Sequence, residues 1–324
     1  MNKSKSLFWL TMMNGTILVM SSNNWMSMWM GLEINMMSFI PIINNKNKTT
    51  SEAMMIYLLT QSISSMLLMF SIIMLNMTMN MMFNNIILMS LLIKLGAAPF
   101  HMWLPEIMTK MNWTSSAILL TWQKIAPMSI INNMMINNMI LYFSVIISVL
   151  LGAMGGLNQM SLRKIMGYSS INHLGWMLSL SMTKSSWIMY LVIYSIMVVI
   201  MCWMFHQYNM IHINQVNNMN MTMMEKMNYI MSMMSLGGLP PFLGFLPKWM
   251  VIQNMMNNNL MMMLTIMVMS SLMSLFYYLR TMTTMMMTFS MMNKWIIMKP
   301  KSKMITIMMM VNMSLPMIMI LNFI

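Results

Sequence analysis

Leu91-Leu-Ile-Lys-Leu-Gly-Ala-Ala-Pro-Phe-His-Met-Trp-Leu-Pro105 is an apolar run that one glycine and two prolines interrupt. A second run, Gly238-Leu-Pro-Pro-Phe-Leu-Gly-Phe-Leu-Pro247, repeats it at a fixed offset. Gly96/Gly238, Pro99/Pro241, Phe100/Phe242, Leu104/Leu246 and Pro105/Pro247 coincide, and Trp103/Phe245 keep an aromatic. Only 9 of 324 residues are proline, so two coincident pairs carry weight. Proline removes a backbone donor and clashes with the preceding turn, which frees carbonyls in mid-helix. At membrane depth such carbonyls are tolerated only against protein or a water-filled cavity. Matched Gly/Pro-interrupted helices of opposite sense are the mark of inverted repeats. For either run taken alone, a packing kink is the plainer alternative.

The rest of the chain supplies the membrane. Hydrophobic residues make up 59% and charged residues 6%, far below the roughly one quarter charged of a soluble domain. This excludes a soluble enzyme, a secreted scaffold, a disordered tail and a nucleic-acid binder. The 17 basic residues are scattered between apolar stretches, as membrane proteins mark their inner side. The 67 methionines exceed any packing need and point to a coding bias of the kind seen in AT-rich organelle genomes. One cysteine, Cys202, cannot build a disulfide, a zinc site or an iron–sulfur cluster by itself. Lys3 and Lys5 lead straight into an apolar run with no cleavage or transit pattern, so that run reads as a retained span.

A bilayer core asks for about 20 apolar residues per helix, and counting such stretches predicts about eleven. They lie near Leu7–Ser22, Trp25–Ile43, Thr50–Leu75, Asn85–Met102, Trp113–Ile131 and Met139–Leu157. The others are near Ile165–Met182, Trp187–Tyr208, Met227–Phe245, Leu260–Leu279 and Met304–Phe323. With the N-terminus inside, the inner segments collect Lys3, Lys5, Lys46, Lys48, Lys110, Arg163, Lys164, Lys226, Arg280, Lys294, Lys299, Lys301 and Lys303. The outer ones receive Lys184 and, at a helix end, Lys248. The expected fold is all-α and polytopic: one transmembrane domain over residues 1–324, with two inverted five-helix repeats at 7–132 and 138–280 and a C-terminal helix at 304–323.

Four ionisable groups fall at depth: Glu33, Lys94, Lys124 and Lys248. A charge at the bilayer centre costs about 2.5–3.5 kcal/mol on insertion scales, so each must be paired, hydrated or neutral. Lys94 lies one turn before the first break, and Lys124 sits in Thr121-Trp-Gln-Lys-Ile-Ala-Pro127, between a glutamine and a proline. Lys248 follows Pro247 near the outer end of its span, where snorkelling is an alternative. A buried lysine beside a carboxylate that moves can gain or lose a proton, which makes it a switchable relay. His101, in the first break, is a further relay candidate, whereas His173 reads as a hydrogen-bonded structural histidine. His206 and His212 read as solvated, Cys202 as filler, and Glu106 with Lys110 as an i,i+4 surface pair.

Five ordered motifs resemble one known family, the subunit 2 type of mitochondrial NADH:ubiquinone oxidoreductase, respiratory complex I. They are Trp29-Met-Gly-Leu-Glu-Ile-Asn35, Lys94-Leu-Gly-Ala-Ala-Pro-Phe-His-Met-Trp103, Gln123-Lys-Ile-Ala-Pro127, Gly155-Gly-Leu-Asn-Gln159 with Leu162-Arg-Lys164, and Ser235-Leu-Gly-Gly-Leu-Pro-Pro-Phe242 with Lys248-Trp249. The resemblance covers nearly the whole chain. It implies an antiporter-like subunit of the inner-membrane proton pump, similar to bacterial fourteen-span relatives without the first three spans. It also implies neighbouring membrane subunits and the lipid bilayer as partners, no nucleic acid, and no cofactor on this chain. NADH, FMN, iron–sulfur clusters and ubiquinone would be bound by other subunits. By motif, Glu33 and Lys94 would form the charge pair of a first half-channel and Lys124 the central relay. Lys248 would face the exit, with His101 on the axis between. The direct offset instead pairs Lys94 with Leu236 and Glu106 with Lys248, so the repeat matches in its breaks and not in its charges. A stand-alone cation antiporter and a purely structural scaffold remain the rival readings.

Overall fold

The computed structural model describes residues 3–44, 47–78, 82–134, 139–217, 222–288 and 302–314. The helices in the first half are α1 (Lys3–Ser21), α2 (Trp25–Ile43), α3 (Lys48–Thr78), α4 (Met82–Leu95), α5 (Trp103–Lys110), α6 (Trp113–Thr121) and α7 (Ile125–Asn133). The second half holds α8 (Met139–Leu157), α9 (Leu162–Met182), α10 (Trp187–Gln207), a short α11 (Ile213–Asn217), α12 (Met223–Gly237), α13 (Phe245–Asn257), α14 (Met261–Thr288) and α15 (Ser302–Asn312). Among the described residues there is no strand, only an isolated bridge between Ser161 and His212. The chain is an all-α polytopic membrane protein in which α2, α3, α8, α10 and α14 are long and apolar enough to cross a bilayer. Lys46, Lys294, Lys299, Lys301 and the end of the expected last span lie outside the described residues.

The expected break at Gly96 is real, and its partner at Gly238 has the same construction. Both glycines take a left-handed φ, +71° and +76°. In each, the glycine amide bonds the carbonyl three residues back and the next amide the carbonyl five back: Gly96 to Ile93 and Ala97 to Leu92, then Gly238 to Ser235 and Leu239 to Met234. This is the Schellman pattern of a helix end. The chain re-enters helix through Leu104 N–H to His101 O in the first and Leu246 N–H to Leu243 O in the second. Pro105 and Pro247 occupy the third position of α5 and α13, where the missing donor has no intrahelical acceptor to lose. A third irregularity was not anticipated. The span expected over Trp113–Ile131 is divided by a 3-10 turn at Trp122–Lys124. Pro127 cannot donate to the Gln123 carbonyl, which loosens the helix at that turn.

Two helix pairs share a second construction. In α1 and α2, a Cβ on Gly15 would sit 3.0 Å from Gly31 O and 3.1 Å from Asn35 N. In α8 and α9, a Cβ on Gly152 would sit 2.9 Å from the Cα of Asn172. The same sequence interval separates Gly15 from Gly152 and Asn35 from Asn172. Each glycine lets backbone meet backbone, the device of small residues at membrane helix crossings. Gly152→Val is therefore expected to force α8 from α9 at a cost of about 1–3 kcal/mol or more. The yield of assembled protein after detergent extraction, compared with that of the unsubstituted chain, reads the effect.

α9 is the hub. It packs against α8, α5, α10, α7, α13 and α14, and 17 of its 21 residues are buried. That placement explains its serines, asparagine and histidine, because protein and not lipid surrounds it. The two halves meet where α5 and α7 touch α9 and where α6 touches α10. At the rim, Arg163 donates to Thr109 O at 2.8 Å and lies 5.6 Å from the Trp113 ring; burial pushes its guanidinium down from its usual value. Arg280 of α14 donates to the last carbonyls of the α8 end, Leu157 O and Gln159 O. Thr222 and Glu225 form a capping box on α12, and burial together with the Glu225 carboxylate pushes the Tyr208 phenol up. His206 and His212 are exposed, as expected. Lys110 pairs with Glu52 of α3 at 2.9 Å and not with Glu106. The helical i,i+4 spacing was available, but Glu106 faces outward while α3 packs on α5 and brings Glu52 to the ammonium.

Candidate functional site: a buried row of lysines between the two halves

Lys94, one residue before the end of α4, stands on the rim of the first break and is 7% exposed. Lys124 ends the 3-10 turn and is 2% exposed. Both line one small cavity of about 20 Å³ with Asn35, Tyr57, Gln61, Gln123 and Pro127. That volume holds about one water. Its polar wall is knitted together: Tyr57 Oη donates to Gln123 Oε1 at 3.4 Å and Gln123 Nε2 to Asn35 Oδ1 at 3.1 Å. Gln61 Nε2 donates to Lys94 O at 3.2 Å, binding the carbonyl at the helix end.

Glu33 lies on α2, the helix that also supplies Asn35, and is partly buried. It acts on Lys94 electrostatically, yet the two are not within ion-pair distance. His101 is 8% exposed and its Nδ1 turns back to Pro99 O at 3.2 Å. It does not line the cavity shared by the two lysines. Of the five expected residues, the first half thus brings Lys94 and Lys124 together, holds Glu33 at longer range and leaves His101 within its own turn.

Beyond Lys124 the row crosses into the second half. The Lys124 ammonium donates to Ser170 O at 3.3 Å and to Tyr194 Oη at 3.5 Å, and sits 4.9 Å from the Tyr194 ring. The Tyr194 ring lies 4.9 Å from His173, which shares a 2.8 Å hydrogen bond with Tyr190 Oη. Both Lys124 and Lys248 act on His173, and Leu236 offers it a backbone hydrogen bond. His173, Tyr190, Tyr194, Ser235 and Pro247 line a second cavity of about 10 Å³, near the lower bound for one water. Lys248 is 6% exposed, so it does not snorkel. Its ammonium donates to Gly237 O at 2.7 Å and stands 5.9 Å from the Trp176 ring. Gly237 closes α12, so this lysine of α13 binds a carbonyl that the second break frees.

Sequence reasoning underrated His173. Its bond to Tyr190 is the structural one expected, but the fold also sets it between two lysines. Tyr194 was missed, and Asn35 was read only as the end of a motif, because nothing in a Tyr or Asn within an apolar helix marks its partner. Asn312 was missed too. Its carbonyl accepts from Leu243 N–H at 3.2 Å and its Oδ1 from Ser235 Oγ at 3.3 Å, so α15 plugs the second break. Asparagines crowd this chain, which hides the few that matter.

Residues 22–274 match the family described as NADH:quinone oxidoreductase/Mrp antiporter, TM. NADH-ubiquinone oxidoreductase chain 2 of Aedes aegypti is 44% identical, covering 99% of this chain and 94% of its own. Chain 2 of Anopheles gambiae is 46% identical over 78% of this chain and 77% of its own. A chain of respiratory complex I from Thermus thermophilus shares the fold with a TM-score of 0.80 at 21% identity, covering 87% of this chain and 70% of that one. With the matched breaks and the lysine row in place, the chain belongs to the NADH:quinone oxidoreductase/Mrp antiporter family, as an antiporter-like membrane subunit of the NADH-ubiquinone oxidoreductase chain 2 type.

Proposed function

We propose that this subunit carries protons across the mitochondrial inner membrane along the row Glu33, Lys94, Lys124, His173 and Lys248, driven by redox chemistry in other subunits. The observation that carries this reading is the polar cavity shared by Lys94 and Lys124 beside the first break. Purely structural lysines would close onto carboxylates or reach the lipid surface, and neither of these does. A shift of Glu33 relative to Lys94 changes how readily Lys94 holds its proton, since the two already interact across a gap. The proton then passes by way of the cavity to Lys124, on through Tyr194 and His173, and leaves near Lys248. His101 sits off this line and serves the first break.

The eleven spans, the inverted repeats at 7–132 and 138–280 and the C-terminal helix at 304–323 belong to the same reading. It is supported by the matched hydrogen bonding of the two breaks and by the matched Gly15/Asn35 and Gly152/Asn172 crossings. The basic loops argue for an N-terminus on the matrix side and a C-terminus on the intermembrane-space side. Other membrane subunits of the complex and the lipid bilayer are the partners, and NADH, FMN, iron–sulfur clusters and ubiquinone are left to other subunits. The exposed methionines, leucines and isoleucines of α1, α3, α10 and α14 suit lipid or such neighbours.

The experiment is Lys94→Met in the assembled oxidoreductase, read as protons moved per electron in sealed vesicles. The expected result is a lowered ratio with assembly intact. An unchanged ratio removes Lys94 from the path. The chain expressed alone and exchanging cations in liposomes would favour a stand-alone antiporter instead.

A further inference from the structure

The relay leaves a second set of buried polar groups unused. Tyr277 and Tyr278 of α14 are 0% and 2% exposed, with ring centroids 4.6 Å apart. The Tyr277 ring lies on Gly156, where a Cβ would come within 2.8 Å of it. Gly156 precedes the last residue of α8, and Arg280, less than a turn beyond Tyr277, binds the carbonyls at that same end. Tyr277 therefore stands just inside the rim. Tyr278 turns to another neighbour, its ring beside Gly237, the residue whose carbonyl holds Lys248. The side chains facing its hydroxyl are Ser169 of α9 and Tyr277. Tyr190 and Tyr194 of α10 are both within electrostatic reach of Tyr278. Tyr194 in turn accepts from Lys124 and faces Ser170.

Packing alone does not account for these hydroxyls. Phenylalanine would fill the same two notches, and it leaves no polar atom to satisfy. Tyr278 faces Ser169 and Tyr277, and Tyr277 faces Ser274, but neither phenol oxygen meets a partner in full hydrogen-bond geometry. A buried hydroxyl in that state is costly, and one bridging water largely restores the loss. Buried hydroxyls that face one another and Ser169, beside the tyrosine that Lys124 holds, are the groups a proton wire needs.

We propose that Tyr277, Tyr278 and Ser169 form a loading branch that brings protons from the rim bearing Arg163 and Arg280 to Lys124 by way of Tyr194. Each hydroxyl takes a proton on an oxygen lone pair from the rim side while its own O–H proton leaves toward Lys124. One O–H bond forms as another breaks, no hydroxyl keeps a charge, and nothing is oxidised or reduced. The last acceptor is the Lys124 amine after it has passed its proton onward, so the branch rests on the relay proposed for that lysine.

The test uses the assembled oxidoreductase in sealed vesicles with Tyr278→Phe, Tyr277→Phe, both together, and Ser169→Ala. Proton uptake at the rim face and protons moved per electron are followed beside Lys124→Met. Phenylalanine keeps the rings, so assembly is expected at the level of the unsubstituted protein. Uptake through this subunit is expected to slow by roughly 100-fold, the lower end of what a positioned proton-transfer group contributes. The ratio should then fall as it does in Lys124→Met. An unchanged ratio in the double variant and in Ser169→Ala, with Lys124→Met impaired, overturns the branch and leaves the relay standing. An unchanged ratio in all of them, Lys124→Met included, overturns the relay itself.

Discussion

Lys124→Met is expected to give an oxidoreductase that assembles normally and moves fewer protons per electron. Methionine is unbranched and one atom shorter than lysine, so most of the space between the 3-10 turn, Ser170 and Tyr194 stays filled. Removing a buried charge and filling its place with an apolar side chain is often neutral or stabilising. The loss is confined to the donors to the Ser170 carbonyl and Tyr194 Oη, about 1 kcal/mol each. Transport suffers far more, because a positioned proton-transfer group contributes about 100-fold or more. Lys124→Arg sharpens the comparison. Arginine keeps the cation but does not release its proton at any working pH. A relay therefore fails in both variants, whereas a structural cation survives as arginine. Wild-type pumping by Lys124→Arg would move this residue from the relay to the scaffold.

The second large effect is expected at Gly244, a residue with no chemistry. The chain leaving the second break crosses back over the last turn of α12, and a Cβ on Gly244 would collide with the Ser235 carbonyl. The neighbour is backbone, so no rotamer change relieves the clash. Gly244→Ala should cost more than about 4 kcal/mol, in the range reserved for severe overpacking, and leave little assembled protein. Gly238→Ala makes the contrast. There the φ of +76° imposes about 1–2 kcal/mol of left-handed strain, and the facing atoms belong to the flexible end of Lys248. That variant should assemble at reduced yield and show altered transport, because the displaced atoms include the Lys248 ammonium. Immunoblots of the native complex with vesicle pumping separate the two cases. Equal yields for both variants would show that the break does not hold the close crossing described.

Some of this was legible before any coordinates. Apolar runs of span length report the membrane because lipid accepts nothing else, and glycines and prolines report helix ends because they act on their own backbone. Gly96, Gly238, Pro105 and Pro247 each do locally what their chemistry predicts. The family motifs around Glu33, Lys94, Lys124 and Lys248 were readable for a related reason, since a charge in an oily chain stands out against its background.

What the chain could not disclose was partnership. Lys110 prefers Glu52, on another helix, to Glu106 one turn away. The Lys124 ammonium finds Ser170 and Tyr194 across the boundary between the two halves. His173 becomes a bridge between lysines only because α9 is buried on every side. The sequence by itself determined the membrane fold, the two interrupted helices and the residues able to bear charge, since these follow from each segment's own solvation and backbone. Which of those residues line one polar cavity, as Lys94 and Lys124 do, and which lie outside it, as His101 does, was decided only by how the helices pack, because contacts between distant segments depend on shapes that no single segment contains.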